Sequence, residues 1–282
     1  MKKGLLALGA ALALSTAVPT HAALTPGAPG LINDTTLNIT WLQDANLVKT
    51  SCDANNALWQ AFDPLALPAL EQSGNTKSDI CNTLNGRLNW YEAEAWIAVL
   101  NAQSYLGYND WRQPETSPVD GSTFNYSFGY DGTFDSGYNI SAPGTPHAGS
   151  TGSELAHLFY NSLGNSAYYN TAGVDQSATY CTGPNACLQN TGPFSNMQSD
   201  VYWSGTEYAP NPTLAWLFSS LDGNQYGDGK DIFSLFVWPV RGGQSAAAPS
   251  TAQPVPALGG FGLAALGVLL AGLAGRRIRL FG

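Results

Sequence analysis

Basic residues and histidines are scarce in this chain of 282 residues. There are 11 Lys and Arg against 20 Asp and Glu, and only three His. Five of the basic residues lie in the two apolar end segments, so residues 24–243 hold six basic and 20 acidic residues, a net charge of −14. Nucleic acids and sulfated polysaccharides are bound by basic patches. The composition therefore argues against both classes of partner.

Motifs of catalysis are missing as well. The chain has no HExxH, no phosphate-binding P-loop and no serine nucleophile motif. His157 has no partner marked by a motif, so we expect a partly exposed polar side chain there rather than a base or a ligand. These absences predict that the protein is not an enzyme. The paired carboxylates of a polysaccharide hydrolase meet only in the folded chain, so that alternative stays open.

The N-terminal residues 1–23 have the order of a secretory signal. Lys2 and Lys3 precede an apolar run over residues 4–18, and small residues follow. This pattern predicts export, with cleavage after Ala22 or Ala23.

The C-terminal region contains a stretch of 19 uncharged residues, 257–275, that ends at three arginines, Arg276, Arg277 and Arg279. It is long enough to span a bilayer with the arginines on the cytoplasmic side. We expect a flexible linker at 244–253. A sorting signal or transmembrane helix over 254–282 would then hold the protein at the membrane.

Four cysteines remain after export: Cys52, Cys81, Cys181 and Cys187. An even number in an oxidising compartment predicts disulfides. Three pairings are possible, and we favour Cys52 with Cys81 and Cys181 with Cys187 because each closes a local loop. A zinc site is disfavoured, since no CxxC is present and only two His survive in the mature chain.

Two helices and four strands are predicted from residue patterns. Asn89 and Glu92 can form a capping box for a helix that runs to Leu100. A second helix is expected to begin at residue 151 or 153 and to stop at Gly164. The strands are expected at 37–41, which alternates as a half-buried strand does, and at 201–204, 214–219 and 232–240. The pattern indicates an α+β fold.

Aromatic and acidic residues are interleaved in the segment 117–150, which we expect to be an irregular excursion over the surface. Aromatic rings can stack on sugar rings while carboxylates accept hydrogen bonds from hydroxyls. The candidate ligand-binding residues of this segment are Tyr126, Tyr130, Asp131, Asp135 and Tyr138. The same aromatics can instead pack the segment onto the domain.

Residues 222–231 are rich in oxygen-bearing side chains, and Asp222, Asn224 and Asp228 are further ligand-binding candidates. Calcium is the one cofactor they suggest. The spacing fails as an EF-hand, because Tyr226 occupies a ligand position and Phe233 stands where the bidentate glutamate belongs. A hairpin turn between two strands is the alternative.

Six motifs follow one another in the order of a known family. They are TWLQDAN (40–46), WYEA (90–93), GYNDWRQP (107–114), YWSGT (202–206), AW (215–216) and VWPVR (237–241). Together they resemble the DUF1566 family, also called the Lcl C-terminal domain, over about residues 35–243. The resemblance implies a C-type-lectin-like fold with two helices and a small, twisted, mostly antiparallel sheet. Residues 115–150 then form a long irregular insertion.

The resemblance assigns structural roles to the motif residues. These are Trp41, Trp111, Arg112, Pro114, Trp203, Ser204, Trp216, Trp238 and Arg241. The tail from Val255 to Gly262 is similar to sorting tails of the IPTL and PEP-CTERM type, with Phe261 where such tails usually have Trp. That similarity implies processing by a membrane sorting peptidase.

The sequence thus predicts an exported, surface-anchored and non-catalytic domain, 24–243, of adhesin or lectin-like type. Its expected partner is an extracellular glycan or a surface protein. A polysaccharide hydrolase and a structural protein of the envelope or matrix are the alternatives.

Overall fold

Two β-sheets organise residues 24–246, the part of the chain that the computed structural model describes. The nine strands are β1 (Leu24–Pro26), β2 (Leu31–Asp34), β3 (Ile39–Leu42), β4 (Phe128–Gly129), β5 (Ser136–Tyr138), β6 (Val201–Glu207), β7 (Leu214–Ser219), β8 (Asn224–Gly229) and β9 (Val240–Gly242). One sheet has the order β1-β2-β3-β9 and the other β4-β5-β8-β7-β6. Among the described strands, only β4 and β5 pair in parallel.

Six α-helices accompany the sheets. They are α1 (Leu47–Asp53), α2 (Ala57–Ala61), α3 (Lys77–Asn82), α4 (Trp90–Ala102), α5 (Glu154–His157) and α6 (Ser177–Tyr180). Short 3₁₀ helices lie at Pro64–Ala66 and Tyr105–Gly107, and α5 continues as a π-helix over Leu158–Ser162. The α+β class is confirmed. The described residues hold four more helices and one more sheet than the resemblance implied.

Helix α4 forms as its sequence predicts. The Asn89 side chain accepts a hydrogen bond from the Glu92 N–H (2.8 Å), and the Glu92 carboxylate accepts one from the Asn89 N–H (2.9 Å). These bonds satisfy two N–H groups that have no partner within the helix. The buried face includes Ala93, Trp96 and Leu100. Burial of this apolar face fixes α4 against the core.

Helices α1, α2 and α3 were not predicted. Each begins at a short polar cap, in turn Asn46, Asn56 and Thr76. They have five to seven residues, too few for a helical period to stand out. The disulfide between Cys52 and Cys81 joins α1 to α3, and the second disulfide joins Cys181 to Cys187. Both predicted pairings are confirmed.

Strand β3 differs from the prediction for 37–41. It begins at Ile39, because Asn38 has φ of 52° and forms the turn after β2. All of its residues are buried, so the expectation of a half-buried strand is wrong. Trp41 packs on Trp238 with ring centroids 4.9 Å apart, and the Trp238 Nε1–H donates to the Leu42 carbonyl (2.8 Å). The apolar and polar alternation here does not mark a solvent-facing side.

The predicted strand at 232–240 is wrong over most of its length. Ile232 is 74% exposed and lies in a turn. Leu235 and Phe236 make only isolated bridges, to Leu88 and Tyr202. Regular pairing begins at Val240, where β9 joins β3. The apolar run is therefore held mainly by the packing of its side chains and not by a continuous series of β-sheet hydrogen bonds.

Residues assigned to the linker are part of the folded domain. Ser245 is 5% exposed, and its N–H and Oγ both donate to Asn33 Oδ1 at 2.8 Å. The Gln244 side chain donates to the carbonyls of Asp34 (3.0 Å) and Ile39 (3.2 Å). A flexible linker at 244–253 therefore does not hold for these two residues, because Ser245 binds a side chain of β2 and Gln244 binds backbone carbonyls of β2 and β3.

The predicted second helix is present, with Ser153 as its N-cap. Its second half is the π-helix, which the sequence pattern did not indicate. His157 is 2% exposed, so the expectation of a partly exposed side chain is wrong. Its Nδ1 lies 3.1 Å from the Ser150 carbonyl oxygen, which fixes the ring beneath the end of the insertion.

The family-motif residues lie in or beside the core. Trp111, Pro114, Trp203, Ser204, Trp216 and Trp238 are buried. Arg112 binds Glu154 through two guanidinium nitrogens (2.8 and 2.7 Å), and Arg241 binds Asp110 (2.8 Å). Both arginines therefore join separate segments of the domain.

Between residues 24 and 246, no helix is long and apolar enough to cross a membrane. The predicted signal at 1–23 and the predicted transmembrane helix within 254–282 lie outside the described residues.

Candidate functional site

The insertion is held in place by one buried carboxylate. Asp135 is 1% exposed, and its two oxygens accept hydrogen bonds from the N–H groups of Val119 and Asn125, each at 2.6 Å. The Gln225 side chain of β8 donates to the Asp135 carbonyl (2.8 Å). Burial raises the pKa of the Asp135 carboxyl. This predicted ligand-binding residue is thus enclosed, with both oxygens engaged by the protein.

The insertion is not only a surface excursion, since residues 135–142 are all buried. Upstream, Phe124 and Tyr126 stack on Trp216, with centroids 5.3 and 5.8 Å away. Tyr208 closes the same cluster at 5.0 Å from Trp216. Trp216 is fully buried beneath these rings. Tyr126, another predicted ligand-binding residue, therefore packs the insertion onto β7.

A second aromatic cluster is partly exposed at the surface. It comprises Phe128, Tyr130, Tyr138 and Tyr169, which we call the aromatic platform. Tyr130 and Tyr138 are parallel within 2°, with centroids 5.7 Å apart, and Tyr169 meets both rings edge-on. Phe128 is 51% exposed and Tyr130 39% exposed. The two outer rings thus rest on two inner rings that hold them in position.

The backbone fixes the platform from two sides. Asn139 has φ of 60°, and its side-chain N–H₂ donates to the carbonyls of Tyr130 (2.7 Å) and Tyr169 (2.9 Å). Gly173 has φ of 73°, and a Cβ there would approach the Tyr130 ring to 3.1 Å. The insertion and the segment 168–175 are therefore tied together before any ligand binds.

One carboxylate contacts a ring of the platform, and two more belong to residues that adjoin it along the backbone. The Tyr138 hydroxyl donates to Asp222 (3.3 Å), and burial together with this carboxylate raises the pKa of Tyr138. Asp131 follows Tyr130 directly, and Asp175 pairs with Tyr169 in an isolated bridge. Hydrogen bonds from Thr133 lower the pKa of Asp131, and hydrogen bonds from Ser177 lower that of Asp175. Both carboxylates hold their charge into the acidic range.

The candidates on β8 do not converge on one point. Residues 220–223 form the turn between β7 and β8, and Asn224 and Asp228 lie within the strand. The predicted hairpin turn is therefore present, but it lies at 220–223 and most of the segment 222–231 belongs to strand β8. Side chains spaced along an extended strand cannot all reach one ion, since each residue adds about 3.3 Å. In the described part of the chain, the one cluster of three His, Cys, Asp or Glu side chains includes the disulfide Cys52–Cys81. Disulfide sulfurs are not thiolate ligands.

The structure thus brings together Tyr130, Tyr138 and Asp222 of the predicted residues, with Asp131 beside them. It separates off Tyr126, Asp135 and Asp228. Tyr169 and Asp175 were missed, because their position at the platform depends on contacts between distant segments. A run of turn residues over 170–175 is the only local signal there.

Comparison with known proteins identifies the tail. The IPTL-CTERM motif matches residues 253–279. This C-terminal sorting motif indicates an exported, surface-associated protein and is consistent with processing by a sorting peptidase. No curated protein and no solved structure matches the chain. The predicted sorting signal is confirmed.

Proposed function

We propose that residues 24–246 form a non-catalytic binding domain that the sorting tail places at the cell surface, and that the aromatic platform binds an extracellular glycan. The observation that carries this proposal is the exposure of Phe128 and Tyr130 on a fixed aromatic base. Rings held in place before binding lose little conformational entropy when a sugar stacks on them.

The polar groups of the platform suit sugar hydroxyls. Asp175 is exposed and Asp131 is half-buried, and each offers carboxylate oxygens next to a platform residue in the chain or in the backbone bridge. Sugar rings present apolar C–H faces and a rim of hydroxyls, so aromatic faces next to carboxylates match both parts.

The enclosure of Asp135 supports the non-catalytic assignment. A glycoside hydrolase needs a carboxylic acid of raised pKa that reaches the glycosidic oxygen, and a second carboxylate across the cleft. Asp135 has a raised pKa, but its oxygens are bound to backbone amides. Asp120 and His147 line a groove nearby, and Asp135 is not among the residues that line it.

The resemblance to the DUF1566 family adds independent support for a lectin-like domain. The motif residues that carry it lie in the core and in the Arg112 and Arg241 ion pairs. The aromatic platform, in contrast, comes mostly from the insertion at 115–150. The family scaffold then supports the domain, and the insertion supplies the ligand specificity.

A glycan array probed with residues 24–246 tests the proposal, followed by titration of a hit with Tyr130→Ala and Phe128→Ala. We expect each substitution to weaken binding about fivefold to tenfold, the loss of one stacked ring. Tyr180→Ala and Phe233→Ala are matched controls, since these rings are 46% and 43% exposed away from the platform. Equal affinities for the platform and control variants would overturn the proposal.

A further inference from the structure

We infer that the aromatic platform selects amino sugars carrying a positive charge over neutral sugars and uronic acids. The inference rests on the proposed function and concerns the charge around the rings. It narrows the expected ligand from any sugar that can stack on an aromatic ring to sugars that carry an amino group.

All six basic side chains of the domain already have partners outside the aromatic platform. These side chains, at Lys49, Lys77, Arg87, Arg112, Lys230 and Arg241, lie in ion pairs or over aromatic rings. Their acidic partners are Asp53, Asp200, Glu115, Glu154, Glu207 and Asp110, and Lys77 lies over Trp59. None of these partners belongs to the platform. Within residues 24–246, no cation neutralises the carboxylates beside it.

The carboxylates beside the platform are fixed in orientation, with Asp175 exposed and Asp131 and Asp222 half-buried. Asp131 and Asp175 each accept a hydrogen bond from a backbone N–H two residues ahead, at 3.0 and 2.8 Å. Asp222 is held by the Tyr138 hydroxyl and by the Asn224 N–H (3.1 Å). Each carboxylate is therefore oriented before a ligand arrives, so its field at the rings is preorganised.

Aromatic faces add to this preference. An ammonium group within about 6 Å of a tyrosine or phenylalanine ring is attracted by the negative charge of the ring face. A sugar stacked on Tyr130 can bring an amino substituent within that range, while its charge is met by the nearby carboxylates. A uronate would place a like charge in the same position, which is unfavourable. The whole domain repels polyanions as well, through its net charge of −14.

The test uses three oligosaccharides with the same β-1,4-linked glucose backbone and length: glucosamine, N-acetylglucosamine and glucuronic acid oligomers. Binding to residues 24–246 is measured by calorimetry at about pH 5.5, where the amine is protonated and the carboxylates are ionised. We expect the amine to bind about tenfold more tightly than the N-acetylated oligomer at low salt, and the uronate to bind weakest. Added salt should reduce the difference.

Charge variants separate this inference from the proposed function. Asp131→Asn and Asp175→Asn keep an oxygen for the turn hydrogen bond and remove the charge. Each should weaken binding of the amine about threefold and binding of the N-acetylated oligomer less than that, because the Asn oxygen can still accept a hydrogen bond from a sugar hydroxyl. Asp120→Asn is the matched control, because Asp120 makes the same kind of turn with Ser122 (2.8 Å) away from the platform.

The outcomes are distinct. Equal binding of the amine and the N-acetylated oligomer, with no effect of the charge variants, overturns the charge preference and leaves glycan binding standing, provided that Tyr130→Ala still weakens both. Absence of binding by all three oligomers overturns the inference alone when another glycan on the array binds. Equal binding by Tyr130→Ala and Tyr180→Ala overturns the inference together with the proposed function.

Discussion

Asp135 links the start of the insertion to the second sheet. Its carboxylate binds the amides of Val119 and Asn125, and its carbonyl accepts from Gln225. The surrounding segment has only two short strands of its own, β4 and β5. Side-chain bonds of this kind replace the backbone ladders that a regular element would provide.

Replacement of this carboxylate should destabilise the domain. In Asp135→Asn one buried N–H faces the amide N–H₂ instead of an oxygen and loses its partner. We expect the free energy of unfolding to fall by about 2–4 kcal/mol, measured by urea denaturation. Asp120→Asn should stay within about 0.5 kcal/mol of the wild type. A similar small effect in Asp135→Asn would show that the insertion is held by other contacts.

The pH dependence of this site has a defined sign. Burial raises the pKa of Asp135 in the folded state above its unfolded value of about 3.9. Its contribution to stability is therefore present below the unfolded pKa and is lost as the pH rises through the folded pKa. The free energy of unfolding of the wild type, relative to Asp135→Asn, should decrease from about pH 3 to pH 7. An increase over that range would contradict the raised pKa.

At the scale of elements, local signals decided what could be predicted. Helix α4 has its cap and its apolar face within one stretch of sequence, so its position was found. The run at 232–240 looks like a strand, yet it pairs at only two points before β9, because tertiary packing buries it instead. The platform was found in part, since Tyr130 and Tyr138 lie close in sequence. Tyr169 joins them through ring contacts and through Asn139, which lies 30 residues away in sequence.

The ion pair that joins the WRQP motif to α5 gives a prediction at the scale of elements. The Glu154 side chain is 10% exposed and accepts from both Arg112 and the Glu115 N–H (2.7 Å). Glu154→Gln leaves Arg112 without its buried partner, so we expect a loss of about 2–4 kcal/mol in chemical denaturation. Glu115→Gln is the control, because that side chain is 58% exposed and should change stability by less than about 0.5 kcal/mol. Equal effects would place the stabilisation elsewhere.

The two disulfides should differ in their contribution to stability. The pair Cys52–Cys81 closes a loop of 29 residues, and Cys181–Cys187 closes one of six. By loop entropy, replacing both cysteines with serine should cost about 3.5 kcal/mol for the first pair and about 2 kcal/mol for the second. Thermal unfolding of the two double variants compares them directly. A larger loss for the short loop would mean that folded-state contacts outweigh chain entropy.

At the scale of the whole molecule, the first sheet gathers both ends of the described chain. Strand β1 pairs with β2, with Thr25 opposite Asn33. Ser245 binds the same Asn33 and also Thr40 of β3 (3.0 Å). Gly27 faces Ser245 so closely that a Cβ there would overlap its hydroxyl. Asn33 of β2 therefore contacts segments near both ends of the described chain.

A truncation series tests this closure. A domain that ends at residue 243 lacks Gln244 and Ser245, so the Asn33 side chain loses its three hydrogen bonds with Ser245 and keeps the one from the Thr40 hydroxyl. We expect it to unfold at a free energy about 2–3 kcal/mol lower than a domain that ends at residue 246. Ser245→Ala in the longer domain should lose about 1 kcal/mol, since the backbone bonds remain. Equal stability of the two truncations would show that the last residues add nothing.

The bonds around Ser245 also determine how the domain resists mechanical force. A pull on the chain beyond Ala246 reaches the domain through Ser245, so the load falls first on its bonds to Asn33 and Thr40. While these bonds hold, we expect no force to separate strand β9 from strand β3. We therefore expect rupture of the Ser245 bonds to set the force at which a domain pulled from its C-terminal end begins to unfold.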